Sequence, residues 1–277
     1  MILDGKALSI TRQDALKKRV EALSEPPHLV VILTTENPAS HTYVKAKEKA
    51  AQKVGIKSTI IHDTTLDEAA LLKTIKRLND DSGVHGILVQ LPLKAGMNVD
   101  QVMEAIDPKK DVDGFHPLNV AALFQHRKGL VPATPRGIMM LLDAYDIEVA
   151  RKHVVIIGRS QIVGTPLIHL FLQKNATVTV CHSKTEDLKS HTLSADILVV
   201  AVGRAKFITA DYVRPQATVI DVGINRVDGK LLGDVDFTET EPIAKAITPV
   251  PKGVGPMTIT ALLENTLDAY EAQRSAK

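Results

Sequence analysis

The sequence predicts an α/β protein with two domains, each built on a mostly parallel sheet that carries helices on both faces. Continuous apolar runs rich in β-branched residues alternate with segments of helical spacing, which is typical of buried parallel strands and their connecting helices. The alternation begins afresh after a segment at 131–136 that two prolines interrupt. The length of 277 residues is about twice that of a typical single domain, which also favours two domains.

The first half of the chain contains three strand candidates and three helix candidates. Strands are predicted at 28–33, 58–61 and 86–90, and helices at 38–54, 66–78 and 99–106. Apolar residues at 66, 69, 71, 72, 75 and 78 recur at helical spacing, and Gly55 stands where a helix would stop. These elements form the predicted first domain, residues 1–130.

The second half repeats the alternation around a glycine-containing turn. A helix is predicted at 137–144, strands at 154–157, 177–181, 197–202 and 218–222, and a turn at 158–166 that leads into a helix. A segment rich in proline and glycine, 248–258, precedes a terminal helix. We predict a second domain at 131–255 with a Rossmann-like, doubly wound parallel sheet, a C-terminal helix 256–277 that packs back on the first domain, and a cleft between the domains.

Charge and composition exclude several classes of protein. Lys plus Arg is 34 and Asp plus Glu is 32, and this formal charge of +2, with 3% aromatic residues, argues against a nucleic-acid binder. No apolar run reaches the roughly 18–20 residues that span a bilayer. The single cysteine, Cys181, rules out an intramolecular disulfide and fits a reducing compartment. We expect a cytoplasmic protein that binds neither nucleic acid nor membranes.

The turn that begins at Gly158 is a candidate phosphate-binding site. An apolar strand runs directly into Gly158-Arg159-Ser160, and a helix follows from Gly164. The first N–H groups of a helix are unpaired and carry partial positive charge, so they attract phosphate. The spacing matches neither the dinucleotide fingerprint nor the P-loop, and a purely structural turn remains the alternative.

The residues after the next strand favour NADP over NAD. NAD-binding folds usually place an Asp or Glu there, which binds the ribose 2′-hydroxyl. Here the strand is followed by His182-Ser183-Lys184, without a carboxylate. Arg159, Ser183 and Lys184 can instead bind a 2′-phosphate through charge-assisted hydrogen bonds. The alternative is that Lys184 is simply a solvated loop residue.

Polar residues on one predicted helix are candidates for catalysis. Ser40, Tyr43 and Lys47 lie at i, i+3 and i+7 and therefore share a face. Most of the four lysines at 45, 47, 49 and 53 must be solvated, but Lys47 lies one turn from Tyr43. Gln90 ends an apolar strand, where parallel sheets face their ligands, although it can equally satisfy backbone groups there.

Two carboxylates lie close together in a loop, Asp111 and Asp113. A metal site would need further ligands nearby, and since none has suitable spacing we predict no metal. An acid/base pair is possible, and a clamp in which one carboxylate accepts two parallel N–H bonds from a planar heterocycle is simplest. Ordinary Asp-Gly turn chemistry is the structural alternative.

Taken together, these residues resemble one enzyme family, the bifunctional methylenetetrahydrofolate dehydrogenase/cyclohydrolases. The resemblance spans nearly the whole chain in family order. The matching stretches are Ser40-x-x-Tyr43-x-x-x-Lys47, Val89-Gln90-Leu91-Pro92-Leu93, Lys110-Asp111-Val112-Asp113-Gly114, Gly158-Arg159-Ser160-x-Ile162-Val163-Gly164-x-Pro166, Cys181-His182-Ser183-Lys184-Thr185, Asp221-x-Gly223-Ile224-Asn225, Gly233-Asp234-Val235 and the segment 248–258 (TPVPKGVGPMT).

The resemblance implies two reactions in one-carbon metabolism at a single cleft. The first oxidises 5,10-methylenetetrahydrofolate to 5,10-methenyltetrahydrofolate with NADP, and the second hydrolyses that product to 10-formyltetrahydrofolate. It implies that Lys47, Tyr43, Gln90 and Asp113 are catalytic, with Asp113 holding the pterin. It also implies a homodimer. By the same correspondence, the folate contacts include Ser40, Tyr43, Gln90, Leu91, Asp113, Gly255 and Pro256, and the NADP contacts include Gly158, Arg159, Ser160, Ser183 and Ile224.

The two reactions make different demands on these residues. Hydride leaves a carbon flanked by two nitrogens whose lone pairs stabilise the cation, so the oxidation needs alignment and no general base. Hydrolysis needs a group that takes a proton from water and returns one to a ring nitrogen. A lysine can do so only if its pKa falls well below about 10.4, which desolvation and a cationic substrate favour.

The chain departs from the family pattern in two places. Lys252 stands where the family commonly has glycine, and if that position has positive φ the lysine costs about 1 kcal/mol or more. A dehydrogenase with weak or lost cyclohydrolase activity is therefore the alternative function. Ala133 replaces a commoner cysteine. A short-chain dehydrogenase is a more distant rival, because Tyr43 and Lys47 precede the glycine turn, whereas in that class the pair follows it. A nucleotide-binding module without chemistry is another, and the retained Tyr43, Lys47, Gln90 and Asp113 argue against it.

Overall fold

The described chain, residues 1–275 of a computed structural model, forms two compact units. The first, which we call the three-stranded unit, comprises Thr11–Ala133 and the chain from Ile259 onward. The second, the five-stranded unit, comprises Met1–Ile10 and Thr134–Thr258. The last two residues of the predicted helix 256–277 lie outside the described residues.

The first half of the chain builds a parallel three-stranded sheet with helices. Its elements, in chain order, are α1 (Gly5–Glu21), β1 (His28–Leu33), α2 (Pro38–Lys53), β2 (Lys57–His62), α3 (Glu68–Asp80), β3 (Gly86–Val89), α4 (Val99–Glu104) and α5 (Pro117–Phe124). The strand order is β2-β1-β3, and all pairs are parallel. Because β1 is the central strand, its residues 29–33 are all buried.

Local sequence signals define both ends of helix α2. The Asn37 side chain accepts hydrogen bonds from the N–H groups of Ala39 and Ser40, and Pro38 occupies the first turn, where its missing N–H costs nothing. Gly55 follows the helix with a φ of 81°, a conformation that glycine adopts without strain. The predicted helix 38–54 is confirmed to within one residue.

The core of the three-stranded unit lies between one face of its sheet and helices α3 and α4. Alternate residues of β1 and β3 point to this face because side chains in a strand alternate between faces. Each fully buried aliphatic side chain contributes about 1.5–3 kcal/mol relative to an exposed one. The apolar residues that meet here include Val30, Ile32, Leu71, Ile75, Ile87, Val89, Val102 and Ile106.

The second half of the chain builds a larger parallel sheet. Its elements, in chain order, are α6 (Ala133–Ala144), β4 (His153–Ile157), α7 (Gly164–Gln173), β5 (Thr177–Cys181), α8 (Leu188–Leu193), β6 (Ile197–Val200), a 3-10 helix (Ala210–Tyr212), β7 (Thr218–Asp221), β8 (Asn225–Val227), β9 (Lys230–Leu232), α9 (Phe237–Thr240), β10 (Ala246–Ile247) and α10 (Val254–Ser275).

The order of these strands makes the sheet doubly wound. The five parallel strands follow the order β10-β7-β6-β4-β5, and β8 and β9 form a separate antiparallel hairpin. The chain moves from β4 to β5 on one side and then crosses to β6 on the other. This reversal creates a crevice at the carboxyl ends of β4 and β6, the place where such folds bind dinucleotides. The predicted α/β fold class is confirmed.

The first ten residues belong to the five-stranded unit. Ile2 forms a parallel bridge with Ile247, and the Leu3 N–H donates to the carbonyl of Ile247 at 2.9 Å. Leu3 is fully buried. The sequence analysis placed these ten residues in its first domain, 1–130, because so short a pairing leaves no periodic pattern in the sequence.

The sequence analysis does not predict helix α1, whose buried face includes polar residues. Ser9 and Gln13 are buried beside Leu16 and Val20, and Gln13 Nε2 donates to Thr260 Oγ1 at 3.1 Å. The apolar spacing that indicates a helix is therefore incomplete. None of the described helices combines the length and apolar character that crossing a membrane requires.

Replacing Asn265 with alanine should destabilise the three-stranded unit. Asn265 is fully buried in α10, and its Nδ2 donates to the carbonyls of Val112 and Val131 at 2.7 and 2.8 Å. Asn265→Ala leaves both carbonyls without this donor, so the free energy of unfolding should fall by about 2–4 kcal/mol in urea denaturation. The control Glu271→Ala, which removes only an exposed ion pair with Arg19, should cost under about 1 kcal/mol. Equal losses would contradict the assignment.

Replacing Lys252 with glycine should stabilise the five-stranded unit slightly. Lys252 has a φ of 92°, which is the positive φ at which a lysine is strained relative to glycine. Lys252→Gly removes that strain but increases the freedom of the unfolded chain, and the net gain should be about 0.5–1 kcal/mol. Thermal unfolding measures it. The control Lys128→Gly changes an exposed loop lysine that is not among the positive-φ residues, and it should give no gain. A loss at Lys252 would show that its side chain stabilises the loop.

Candidate active site

Helix α2 presents a face that mixes buried and exposed polar groups. Ser40 and Lys47 are buried together with Val44 and Ala51, whereas Tyr43 is 39% exposed. Lys45, Lys49 and Lys53 belong to the exposed or partly exposed surface. The structure therefore singles out Lys47 among the four lysines of this helix as the one whose amine is withdrawn from water.

The buried amine of Lys47 is held by Gln90. Lys47 Nζ donates to Gln90 Oε1 at 3.0 Å, and Gln90 Nε2 donates to the carbonyl of Leu91 at 2.8 Å. This second bond orients the amide so that its oxygen faces the amine. The Gln90 N–H donates to the carbonyl of Ile32 at 2.9 Å, which places Gln90 at the carboxyl end of the three-stranded sheet, beside its central strand β1.

Burial perturbs the two ionisable groups of this site in opposite directions. Desolvation lowers the pKa of Lys47 below its ordinary value of 10.5, and the carboxylate of Asp113 partly opposes this shift. Desolvation likewise raises the pKa of Asp113 above 3.8, while the Lys47 ammonium opposes it. Each charge thus offsets part of the desolvation shift of the other, and a proton held at Lys47 is less tightly bound than in water.

The two loop aspartates have different surroundings. The buried Asp111 accepts hydrogen bonds from the N–H groups of Gly114 and His116 at 3.1 and 2.8 Å, and from Asn119 Nδ2 at 2.9 Å. Gly114 has a φ of 74°, and a Cβ there would lie 2.6 Å from the backbone of residues 131 and 132. Asp111 therefore holds the loop, and Asp113 is the carboxylate that interacts with Lys47.

Backbone packing shapes the turn after β4. Gly158 has a φ of 121°, and a Cβ there would lie 2.3 Å from the carbonyl oxygen of Ala201, while one at Gly164 would lie 2.2 Å from that of Gly158. Ser160 Oγ accepts from the N–H groups of Val163 and Gly164 at 3.2 and 3.4 Å, at the start of α7. Glycine is required at both positions because the backbones approach so closely.

The exposed turn after β5 lies beside this glycine turn. Ile157 pairs with Cys181 in the parallel register, so the residues that follow β4 and β5 leave neighbouring strands at the same edge. Arg159 and Ser160 in one turn, and Ser183 and Lys184 in the other, are all exposed. The sheet thus collects the predicted cofactor residues at its carboxyl edge, with two cations among them.

Two aspartates that the sequence analysis left without a role organise the loops at this edge. Asp234 is fully buried and accepts hydrogen bonds from the N–H groups of residues 202–204 at 2.7–2.9 Å, and from Asn225 Nδ2 at 2.9 Å. Asp221 accepts from the N–H groups of Gly223, Asp234 and Val235, and burial nevertheless raises its pKa to about 7. The signal in the sequence is Gly223 and Gly233, since a Cβ on either would overlap one of these carboxylates.

The remaining predicted residues of the five-stranded unit lie together. Ile224, which follows β7, is 43% exposed, and a Cβ on Gly255 would lie 3.7 Å from Ile224 Cδ1. Gly255 and Pro256 are partly buried in the first turn of α10. Ser40, Tyr43, Lys47, Gln90, Leu91 and Asp113 belong to the three-stranded unit, and Gly158, Arg159, Ser160, Ser183, Ile224, Gly255 and Pro256 to the five-stranded unit.

Comparison with protein families matches both halves of the chain. Residues 3–113 match the model of the tetrahydrofolate dehydrogenase/cyclohydrolase catalytic domain, and residues 132–274 match the model of the NAD(P)-binding domain of the same family. Together the matches cover most of the sequence.

Characterised relatives are similar over their whole length. The "Bifunctional protein FolD" of Acholeplasma laidlawii is 53% identical over 274 residues, and that of Enterococcus faecalis is 51% identical over 278 residues; each match covers 99% of both chains. The crystal structure of the bifunctional enzyme FolD, a methylenetetrahydrofolate dehydrogenase/cyclohydrolase from Campylobacter jejuni, has a TM-score of 0.96 at 47% identity and covers 98% of this chain and 99% of that one.

A further solved structure holds the cofactor predicted from the sequence. The methylenetetrahydrofolate dehydrogenase-cyclohydrolase of Trypanosoma brucei, complexed with NADP and an inhibitor, has a TM-score of 0.94 at 34% identity and covers 100% of this chain and 98% of that one. These relatives confirm the predicted NADP cofactor and the predicted combination of dehydrogenase and cyclohydrolase activities. The chain therefore belongs to the tetrahydrofolate dehydrogenase/cyclohydrolase family.

Proposed function

We propose that this protein oxidises 5,10-methylenetetrahydrofolate to 5,10-methenyltetrahydrofolate with NADP and hydrolyses the product to 10-formyltetrahydrofolate. The observation that carries the proposal is the buried amine of Lys47, which has a lowered pKa and a hydrogen bond to Gln90. A paired absorbance assay that follows NADPH formation and methenyltetrahydrofolate loss on the purified protein tests both activities.

The oxidation depends on positioning. The two nitrogens beside the methylene carbon stabilise the cation that forms when hydride leaves, so no protein base is required. NADP supplies the hydride acceptor when it is bound. In this proposal, Ser40, Tyr43 and Leu91 contact the folate and hold its reactive carbon in place.

The hydrolysis depends on the amine of Lys47. As the oxygen of water bonds to the methenyl carbon, the neutral amine takes the proton that water loses. The resulting ammonium then gives a proton to a ring nitrogen as its bond to that carbon breaks, and the new hydroxyl releases its own proton to form the formyl group. A lowered pKa suits this cycle, because the amine must be both free to accept and ready to return the proton.

Neighbouring groups orient the amine and the substrate. Gln90 fixes the direction of the Lys47 amine by accepting one of its protons. Tyr43, one turn away on α2, contributes a hydroxyl near the reacting carbon. Asp113 accepts hydrogen bonds from the pterin ring N–H and amino group, a bidentate contact of the kind a carboxylate makes with arginine.

The five-stranded unit fits a dinucleotide. At Gly158 and Gly164 even a methyl group would collide with backbone, so only glycine lets the turn after β4 approach the start of α7 so closely. The dipole of that helix attracts phosphate. We assign the NADP contacts to Gly158, Arg159, Ser160, Ser183 and Ile224. Gly255 and Pro256, at the first turn of α10 beside Ile224, are assigned to the loop that closes over folate.

These assignments give each part of the chain a role. We assign folate binding and catalysis to the three-stranded unit and NADP binding to the five-stranded unit. We further propose a cytoplasmic homodimer without nucleic-acid or membrane partners. The free, buried thiol of Cys181 supports a reducing compartment, and the family resemblance supports the dimer.

Lys47→Gln should separate the two activities. Cyclohydrolase turnover should fall by about a hundredfold or more, since general acid–base catalysis contributes at least this much. Dehydrogenase activity should persist in part, because hydride transfer needs no amine. The paired absorbance assay measures both rates on one sample.

The control for this experiment is Lys49→Gln, on the exposed part of the same helix. It makes the same chemical change without touching the buried site, so both activities should remain. Equal loss of the two activities in Lys47→Gln would contradict the division of labour between positioning and proton transfer.

Arg159→Ala should weaken binding of NADP more than binding of NAD. Loss of a charge-assisted hydrogen bond to the 2′-phosphate should raise the KM for NADP about tenfold or more and leave the KM for NAD nearly unchanged. The control Arg214→Ala removes an exposed arginine that precedes β7, at the opposite end of the strands. An unchanged ratio of the two KM values would mean that other residues hold the 2′-phosphate.

A further inference from the structure

Two histidines and a glutamate meet at one edge of the three-stranded unit. His41 Nε2 lies 3.1 Å from Glu36 Oε2, and His62 Nε2 lies 3.4 Å from Glu36 Oε1. One ligand atom of each residue lies within 4.8 Å of those of the other two. The imidazole rings meet edge to face, with 4.7 Å between their centroids. The contacts assigned above to folate and NADP use none of these three side chains.

The backbone brings these residues together from three separate elements. Glu36 lies in the loop after β1, His41 in the first turns of α2, and His62 at the end of β2. Leu33 pairs with His62 in the parallel register, so the loop that carries Glu36 starts beside His62. The ligand spacing of 5 and 21 residues follows no short motif, which is why the sequence analysis predicts no metal.

The distances suit a small divalent metal ion. Zinc binds imidazole nitrogen and carboxylate oxygen at about 2.0–2.2 Å, so two ligands of a tetrahedral ion lie about 3.4 Å apart. Each histidine nitrogen already lies at about this distance from one oxygen of Glu36, that of His41 from Oε2 and that of His62 from Oε1. One ligand atom from each of the three residues lies within 4.8 Å of the other two. The residue types also match, since two imidazoles and one carboxylate are a donor set that zinc uses, whereas Mg²⁺ and Ca²⁺ prefer oxygen ligands.

The surroundings allow an ion to enter. The side chains of His41 and His62 are 29% and 35% exposed, and that of Glu36 is 71% exposed. Three protein ligands leave the fourth position of a tetrahedral ion to water. Asp63, the next residue along the chain, adds negative charge beside His62.

We propose that Glu36, His41 and His62 form a binding site for a divalent transition-metal ion of the zinc type. The ion joins β2, the loop after β1 and the first turns of α2 through three side chains. It therefore braces the amino-terminal end of the helix that carries Lys47, six residues beyond His41, without touching the reacting groups. The competing explanation is a surface cluster held only by the hydrogen bond between His41 and Glu36 and the contact between His62 and Glu36.

Binding of Zn²⁺ to the metal-free protein distinguishes the two explanations. The protein is treated with EDTA, desalted and titrated with zinc against a chromophoric chelator. The unaltered chain should bind zinc at one site, and Glu36→Gln, His41→Gln and His62→Gln should each lower the affinity about tenfold or more. The control His191→Gln removes a partly exposed helical histidine of the five-stranded unit and should leave the affinity unchanged.

Two further measurements make the outcome decisive. Zinc should raise the thermal midpoint of the unaltered chain but not that of His62→Gln, and circular dichroism of each metal-free variant verifies that it is folded. Cobalt should give the visible absorption bands of a tetrahedral nitrogen and oxygen site, which the variants lack. Equal zinc affinity in the unaltered chain and all three variants would overturn the proposal, as would a comparable loss in His191→Gln.

Discussion

The burial of one amine beside one carboxylate is the constraint on which the proposed active site depends. Withdrawing Lys47 from water would be costly for an isolated charge, and the interaction with Asp113 and the hydrogen bond to Gln90 offset that cost only in part. The incomplete compensation is what lowers the pKa of the amine. Burial thus makes the ammonium of Lys47 easier to deprotonate, while the carboxylate of Asp113 opposes this effect in part.

The two parallel sheets explain why the candidate residues cluster. Gln90 and the residues after β4, β5 and β7 follow the carboxyl ends of strands, where loops of different sequence can meet without disturbing the core, whereas Lys47 lies on the helix that follows β1. Buried side chains keep those loops in place. Asp111 and Asn265 do so in the three-stranded unit, and Asp221 and Asp234 in the five-stranded unit, each through hydrogen bonds to backbone groups. The rigid support comes from residues that no reaction step requires.

Periodicity in the sequence predicted the strands and the long amphipathic helices because burial imposes a repeat on them. The strand predicted at 28–33 and the helix predicted at 66–78 are examples, which the structure shows as β1 (His28–Leu33) and α3 (Glu68–Asp80). Helix α1 was missed because Ser9 and Gln13 occupy its buried face. The hairpin β8–β9 was missed because its residues are mostly exposed and therefore carry no apolar alternation. Membership of the first ten residues in the five-stranded unit depends on backbone hydrogen bonds to residues 245–252, far along the chain.

The residue types and their order along the chain were enough to predict the fold class, the family and the chemical groups available. Which of these groups act together became visible only once distant segments of the chain were packed against one another. The folded structure buries Lys47 and leaves the other three lysines of α2 exposed. It engages Asp111 in hydrogen bonds within its loop while Asp113 interacts with the amine, and it gathers Glu36, His41 and His62. Burial and distance set pKa values and ligand geometry, and both arise when segments far apart in the chain are brought into contact.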